Sequence, residues 1–138
     1  MKMEKYTFLE HTADAKFIAY GKTLEEAFSN AALAITSLLF DSEKVKSKEK
    51  HDIKVEGKDE KALLYNFLEE ILFLLDAKHF LLHKVEKIGI RNNKLIALLS
   101  GDNVQNYKTS GDIKAVTYNE MEIKKGKNKV SVQVVVDL

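Results

Sequence analysis

The chain has 138 residues, 45% of them apolar and 31% charged, with a formal net charge of +1 and no cysteine. That length fits one domain over residues 1–138, with a core large enough to fold without covalent or metal staples. The absent cysteines exclude disulfides, thiolate zinc sites and cysteine nucleophiles, and the near-neutral balance lacks the basic excess of a dedicated DNA binder.

No apolar h-region opens the segment from Met1 to Tyr6, and no apolar run approaches the ~20 residues that span a bilayer. A cytoplasmic protein without membrane association is therefore expected. Residues 6–11 and 15–21 read as two short strands, with Thr12, Ala13 and Asp14 between them. Thr23 opens a helix, and Glu26 three residues on completes a capping box, each side chain satisfying a free backbone N–H. Leu24, Ala27, Phe28, Ala31, Ile35, Leu38 and Leu39 repeat at helical spacing, so this helix is expected to end near Phe40.

Residues 42–52 mix charges around Lys44, Lys46, Lys48 and Lys50, and read as a solvated loop or strand edge. A basic contact surface for RNA or an acidic partner is the alternative. Ile53 and Val55 alternate with polar residues in a strand over 52–56, closed by Gly57. A second helix is expected over 60–77. Leu64, Phe67, Leu68, Ile71, Leu74 and Leu75 form its stripe, and Leu63, Leu72 and Phe73 widen that stripe until most of the helix is buried.

From residue 80 the period changes to two. Strands are expected over 85–90 and 94–99, joined by Asn92-Asn93, a dipeptide that tolerates positive φ. A polar loop follows over 101–112. A last hairpin joins 113–124 to 129–137 around Gly126-Lys127-Asn128. This order predicts an α+β fold, with two helices packed on one side of a mostly antiparallel sheet.

Three groups of residues could carry chemistry. His11-Thr12-Ala13-Asp14 sits at a tight turn, where aspartate serves backbone hydrogen bonding as readily as function. In the last strand Val130, Val132, Val134 and Val136 face the core, which leaves Asp137 on the other face beside Leu138. Carboxylate and carbonyl oxygens there suit a hard divalent cation. Finally, period two over 112–123 puts Lys114, Val116, Tyr118, Glu120 and Glu122 on one face, either as cross-strand charge pairs or as a functional surface. His79 and His83 lack the glutamate of a zinc helix motif, and no phosphate loop or nucleophile elbow occurs.

Together these segments resemble the archease family. The likeness runs from Tyr6-Thr7-Phe8-Leu9-Glu10-His11-Thr12-Ala13-Asp14, through Ala19-Tyr20-Gly21-Lys22-Thr23-Leu24-Glu25-Glu26-Ala27-Phe28. It is strongest at Ile113-Lys114-Ala115-Val116-Thr117-Tyr118 with Glu120-Met121, and it ends at Val136-Asp137-Leu138. The resemblance implies a strand-helix-strand-strand module. It also implies a protein that is not itself an enzyme, an accessory factor of the RtcB-type tRNA-splicing RNA ligase. That ligase joins exon halves with GTP and a divalent metal through a guanylated histidine. The accessory factor promotes guanylation and multiple turnover and broadens nucleotide use. Asp14, Asp137 and the carbonyl of Leu138 would hold its own divalent cation, Ca²⁺ first, with Mg²⁺ or Mn²⁺ as alternatives. Lys114 and Glu120 would act in partner activation. tRNA would be met through the ligase, with no DNA and no membrane involved. Asn119 departs from the pattern, since many members carry histidine there. The competing readings are a chaperone-like adaptor modulating a tRNA methyltransferase, and a stand-alone hydrolase, which would need a second metal centre and a general base that the sequence does not show.

Overall fold

A computed structural model describes residues 4–10 and 14–138. Strand β1 (Tyr6–Leu9) pairs with β2 (Asp14–Gly21), and helix α1 (Leu24–Ser37) follows. Strand β3 (Glu49–Glu56), helix α2 (Glu60–Lys78), β4 (Phe80–Arg91) and β5 (Lys94–Asn103) form the expected strand-helix-strand-strand unit. Strands β6 (Ala115–Gly126) and β7 (Lys129–Asp137) close the chain.

The α+β class is as expected, but the strands form two antiparallel sheets rather than one. One runs β1-β2-β7-β6 and the other β3-β5-β4. Helix α1 lies against β2, β7 and β4, and α2 against β6, β3 and β4, so each helix touches both sheets. Phe28 of α1 and Phe67 of α2 stack with ring centroids 6.0 Å apart. Leu64, Phe67, Leu68, Ile71, Phe28 and Ile35 are all buried. One continuous apolar cluster draws on both helices and both sheets. Among the described residues no helix is long and apolar enough to cross a membrane.

Several element boundaries moved, each for a stated reason. Asp14 is the first residue of β2 rather than part of a turn, because β7 reaches far enough to pair with it. Helix α1 stops at Ser37, short of Phe40. The Thr36 hydroxyl donates to the Ala32 carbonyl and the Ser37 hydroxyl to the Ala34 carbonyl, competing with continued helical bonding. The capping box is offset. The Glu26 N–H donates to Thr23 Oγ1 at 3.1 Å, but the Glu26 carboxylate accepts from the N–H of Lys22. Strand β3 starts at Glu49 because β5 continues opposite it to Gly101. The expected 101–112 loop is partly ordered structure, with β5 running to Asn103 and a short 3₁₀ turn at Val104–Asn106.

One local unit occurs twice. Gly21-Lys22-Thr23 precedes α1, and Gly57-Lys58-Asp59 precedes α2. Thr23 and Asp59 are the two N-caps. A Cβ on Gly21 would lie 2.4 Å from the Ala27 nitrogen, and one on Gly57 would lie 2.4 Å from the Leu63 nitrogen. Each helix start therefore presses on a backbone with no room for a side chain. Asn30 then donates to the Tyr20 carbonyl at 2.6 Å, and Asn66 to the Glu56 carbonyl at 2.7 Å. In both units the asparagine satisfies the end of the preceding strand.

Candidate functional site

Strands β2 and β7 set the candidate site. Ala15, Phe17 and Ala19 of β2 and Val130, Val132, Val134 and Val136 of β7 are buried. Alternation along each strand sends Asp14 and Asp137 to the opposite face. The register makes Asp14 and Asp137 direct cross-strand partners. Side chains so placed have Cβ atoms about 4.5–5.5 Å apart. Asp14 is half-buried and Asp137 exposed, with exposed Leu138 next in the chain. His11, Thr12 and Ala13 lie outside the described residues.

Strand β6 completes the row. Ala115 is the partner of Asp137 on its other side, a small residue beside two carboxylates. The Lys114 N–H donates to the Asp137 carbonyl at 2.9 Å, which ties the motif lysine's backbone to the acidic end of β7. The Lys114 side chain is exposed.

The single-face reading of 112–123 is overturned by a bulge. The β6–β7 register jumps between Thr117 and Glu122, and Glu120 takes a left-handed backbone with φ 53°. Extra residues on one strand break the two-residue alternation. Val116 and Met121 are buried. Tyr118 stacks on Tyr65 of α2, with centroids 4.3 Å apart and planes 7° from parallel. Burial first, then the Glu69 carboxylate, pushes the Tyr65 hydroxyl above its usual range. Glu120 instead reaches Lys16, whose Nζ lies 3.0 Å from Glu120 Oε1. Lys16 stands two residues along β2 from Asp14, on the same face. The amide of Gln133 donates to the Glu120 carbonyl at 2.8 Å and holds the bulge. The structure thus brings Asp14, Asp137, the Lys114 backbone and Glu120 to the outer side of one sheet. Nothing in the strand period foretold the Lys16–Glu120 pair. Asn119, also in the bulge, is exposed, and its N–H donates to Thr117 Oγ1 at 3.3 Å.

The family model of the Archease protein family matches residues 6–138. The chain belongs to the archease family. An archease of Methanosarcina mazei is 38% identical over 98% of this chain and 97% of its own length. One of Thermococcus kodakarensis is 39% identical over 89% of this chain and 90% of its own. The solution structure of Methanobacterium thermoautotrophicum protein 1598 matches with a TM-score of 0.81 and 32% identity, over 99% of this chain and 100% of that one. The crystal structure of an archease from Thermotoga maritima, described as a possible chaperone, has a TM-score of 0.59 at 18% identity and shares the fold.

In this archease His79 and His83 have structural posts. His79 ends α2 with a left-handed backbone at φ 55°, and its N–H donates to the Leu74 carbonyl. His83 Nδ1 lies 3.0 Å from the Ser42 carbonyl. Among the described residues no three His, Cys, Asp or Glu side chains cluster tightly enough to hold a metal ion. Any cation at the Asp14–Asp137 row would need main-chain oxygen, water or a partner's groups to complete its shell. Two adjacent carboxylates and a main-chain carbonyl are the hard donor set that Ca²⁺ or Mg²⁺ takes, and they offer nothing soft for zinc or copper.

Proposed function

We propose that this archease activates an RtcB-type tRNA-splicing RNA ligase, promoting its guanylation and multiple turnover, in the cytoplasm. In this reading it performs no chemistry of its own. The observation that carries the reading is the direct cross-strand pairing of Asp14 with Asp137. Two carboxylates side by side repel unless a cation or a lysine lies between them, and in this reading a divalent ion fills that place. Asp14, Asp137 and the main-chain oxygen of Leu138 would hold it. Such an ion supplies concentrated positive charge and open coordination positions at the protein surface. About six to eight oxygens surround Ca²⁺, so three from this chain leave places for a partner. Lys114, anchored through its backbone to Asp137, and Glu120, held by Lys16, would frame that contact. tRNA would be reached through the ligase.

The test is guanylation of the ligase with GTP and metal, with wild-type archease and with Asp14→Asn or Asp137→Asn. Each variant should cut stimulation at least ~100-fold, the scale on which one preorganised electrostatic group acts. Each should also lose Ca²⁺ binding by calorimetry while keeping its circular dichroism. Folded variants that stimulate normally would remove the site assignment. The second reading, a chaperone-like adaptor, draws support only from the description of the Thermotoga maritima protein. It predicts no effect on guanylation and a change in the soluble yield of a tRNA methyltransferase.

A further inference from the structure

The β3-β5-β4 sheet has one face buried and, among the described residues, one open along Lys94–Leu98 of its middle strand. Ile53, Leu95, Ala97 and Leu99 point into the core, where α1 and α2 meet the sheet. The register lines up the alternate residues of all three strands on the other face. That face carries Lys50, Lys54, Lys84, Lys87, Arg91 and Lys94, all exposed. Asp52 and Glu56 share it, and Glu86 joins from the β4 bulge, bound to the Ser100 hydroxyl at 2.6 Å. Six cations against four anions, the fourth being Asp102 at the next alternate position of β5, leave this face at +2, against +1 for the whole chain.

Its centre is apolar. Ile96 is 58% exposed, an unusual position for isoleucine in the middle strand of a sheet. Leu98 is half-buried two residues along the same face. The partner of Ile96 on β4 is Gly89, and a Cβ there would touch nothing nearer than Ile96 Cγ1 at 3.7 Å. A missing side chain rather than close packing therefore opens the surface. Two shallow depressions of about 430 and 450 Å³ share Gly89 and Ile96 and form one trough. Lys87 stands with Asp52 at one end, and Arg91 and Lys94 with Glu25 of α1 at the other, so cations outnumber anions three to two around the trough.

We propose that this trough docks an amphipathic helix of a partner protein, with an aliphatic stripe on the Ile96–Leu98 floor and carboxylates against the basic rim. Charge alone would equally suit RNA. The floor decides between them, because nucleic-acid surfaces of this size place aromatic or arginine planes under unstacked bases. Here the centre of the sheet face is aliphatic. An apolar core with a charged rim is the anatomy of a protein contact. Asp14 and Asp137 lie on the other sheet, so the docking site stands whether or not the ligase reading holds.

The experiment titrates ¹⁵N-labelled full-length protein with a synthetic amphipathic helical peptide carrying leucines on one face flanked by glutamates. Backbone amide shifts should concentrate at residues 87–91 and 94–98. The same peptide with lysine for glutamate should give none. Ile96→Ser and the double variant Lys54→Glu with Lys87→Glu should each weaken binding at least ~10-fold, as loss of a central anchor does. Both changes fall on exposed positions, and unchanged thermal melts serve as the folding control. Absence of shifts with the acidic peptide overturns the proposal. A uridine homopolymer that shifts the same amides and still binds Ile96→Ser would assign the face to RNA instead. Self-association of the wild type that Ile96→Ser abolishes would assign it to a second copy.

Discussion

Asp102 shows how one side chain can organise a loop that looks featureless in sequence. It is 4% exposed, at the end of β5. The Tyr107 hydroxyl donates to its Oδ2 at 2.8 Å, while Oδ1 accepts from the Asn103 N–H and the Asn106 amide. Tyr107 in turn accepts from the Lys46 N–H and packs edge-on against Phe40. The Tyr107 hydrogen bond, then the Asn103 N–H, hold the Asp102 carboxyl below its ordinary range against the opposing effect of burial. Its stabilising contribution is therefore complete above the unfolded value near 3.9 and is lost as pH falls through the lower folded value. Asp102→Asn should flatten the fall in stability below about pH 4, read by urea denaturation across pH. An unchanged acid slope would mean that another carboxylate sets it. The polar run and its two Gly-Asp pairs suggested a loop. That Asp102 would be buried depended on Tyr107 meeting Lys46 from a distant segment.

At the scale of elements, the repeated strand-glycine-cap-helix-asparagine unit accounts for both helix starts. Asp59 Oδ1 accepts from the Ala62 N–H at 2.8 Å, and Glu60 adds an acidic side chain to the first turn of α2. Asp59→Ala should lower global stability by about 1 kcal/mol, measured by chemical denaturation. Asp59→Ser should recover most of that loss, because a hydroxyl can accept the same bond. Helix positions were readable because capping residues and apolar spacing are local properties. Strand lengths were not, because pairing partners set them. β4 carries two register shifts and runs from Phe80, five residues before the strand expected from Val85.

Across the whole molecule, the two sheets share one apolar cluster that both helices complete. Phe67 is fully buried and stacks on Phe28, joining the two helices at the middle of that cluster. Phe67→Ala should cost about 3–5 kcal/mol. Domain stabilities are commonly about 5–15 kcal/mol, so the variant should be marginal at room temperature. Far-ultraviolet dichroism and tyrosine fluorescence should still give coincident unfolding curves, since neither sheet has a separate core. Two resolved transitions would show that the sheets fold independently.

The sequence alone determined the α+β class, both helices, the Asn92-Asn93 turn and the buried valine face of β7, because periodicity and turn chemistry are written within a few residues. Both asparagines of that turn adopt the positive φ their side chains tolerate, at 52° and 57°. The likeness at Asp14 and at Asp137 was also legible, as composition at two ends of a chain. Tertiary structure decided what local patterns cannot encode. It divided the strands into two sheets, broke the alternation of β6 with a bulge at Glu120, and turned that carboxylate toward Lys16. It also put Asp14 opposite Asp137, a matter of register. Register is set by which faces of β2 and β7 can bury Phe17, Val134 and their neighbours together, and a slip of one residue would turn the slipped strand's aspartate toward the core and part the pair.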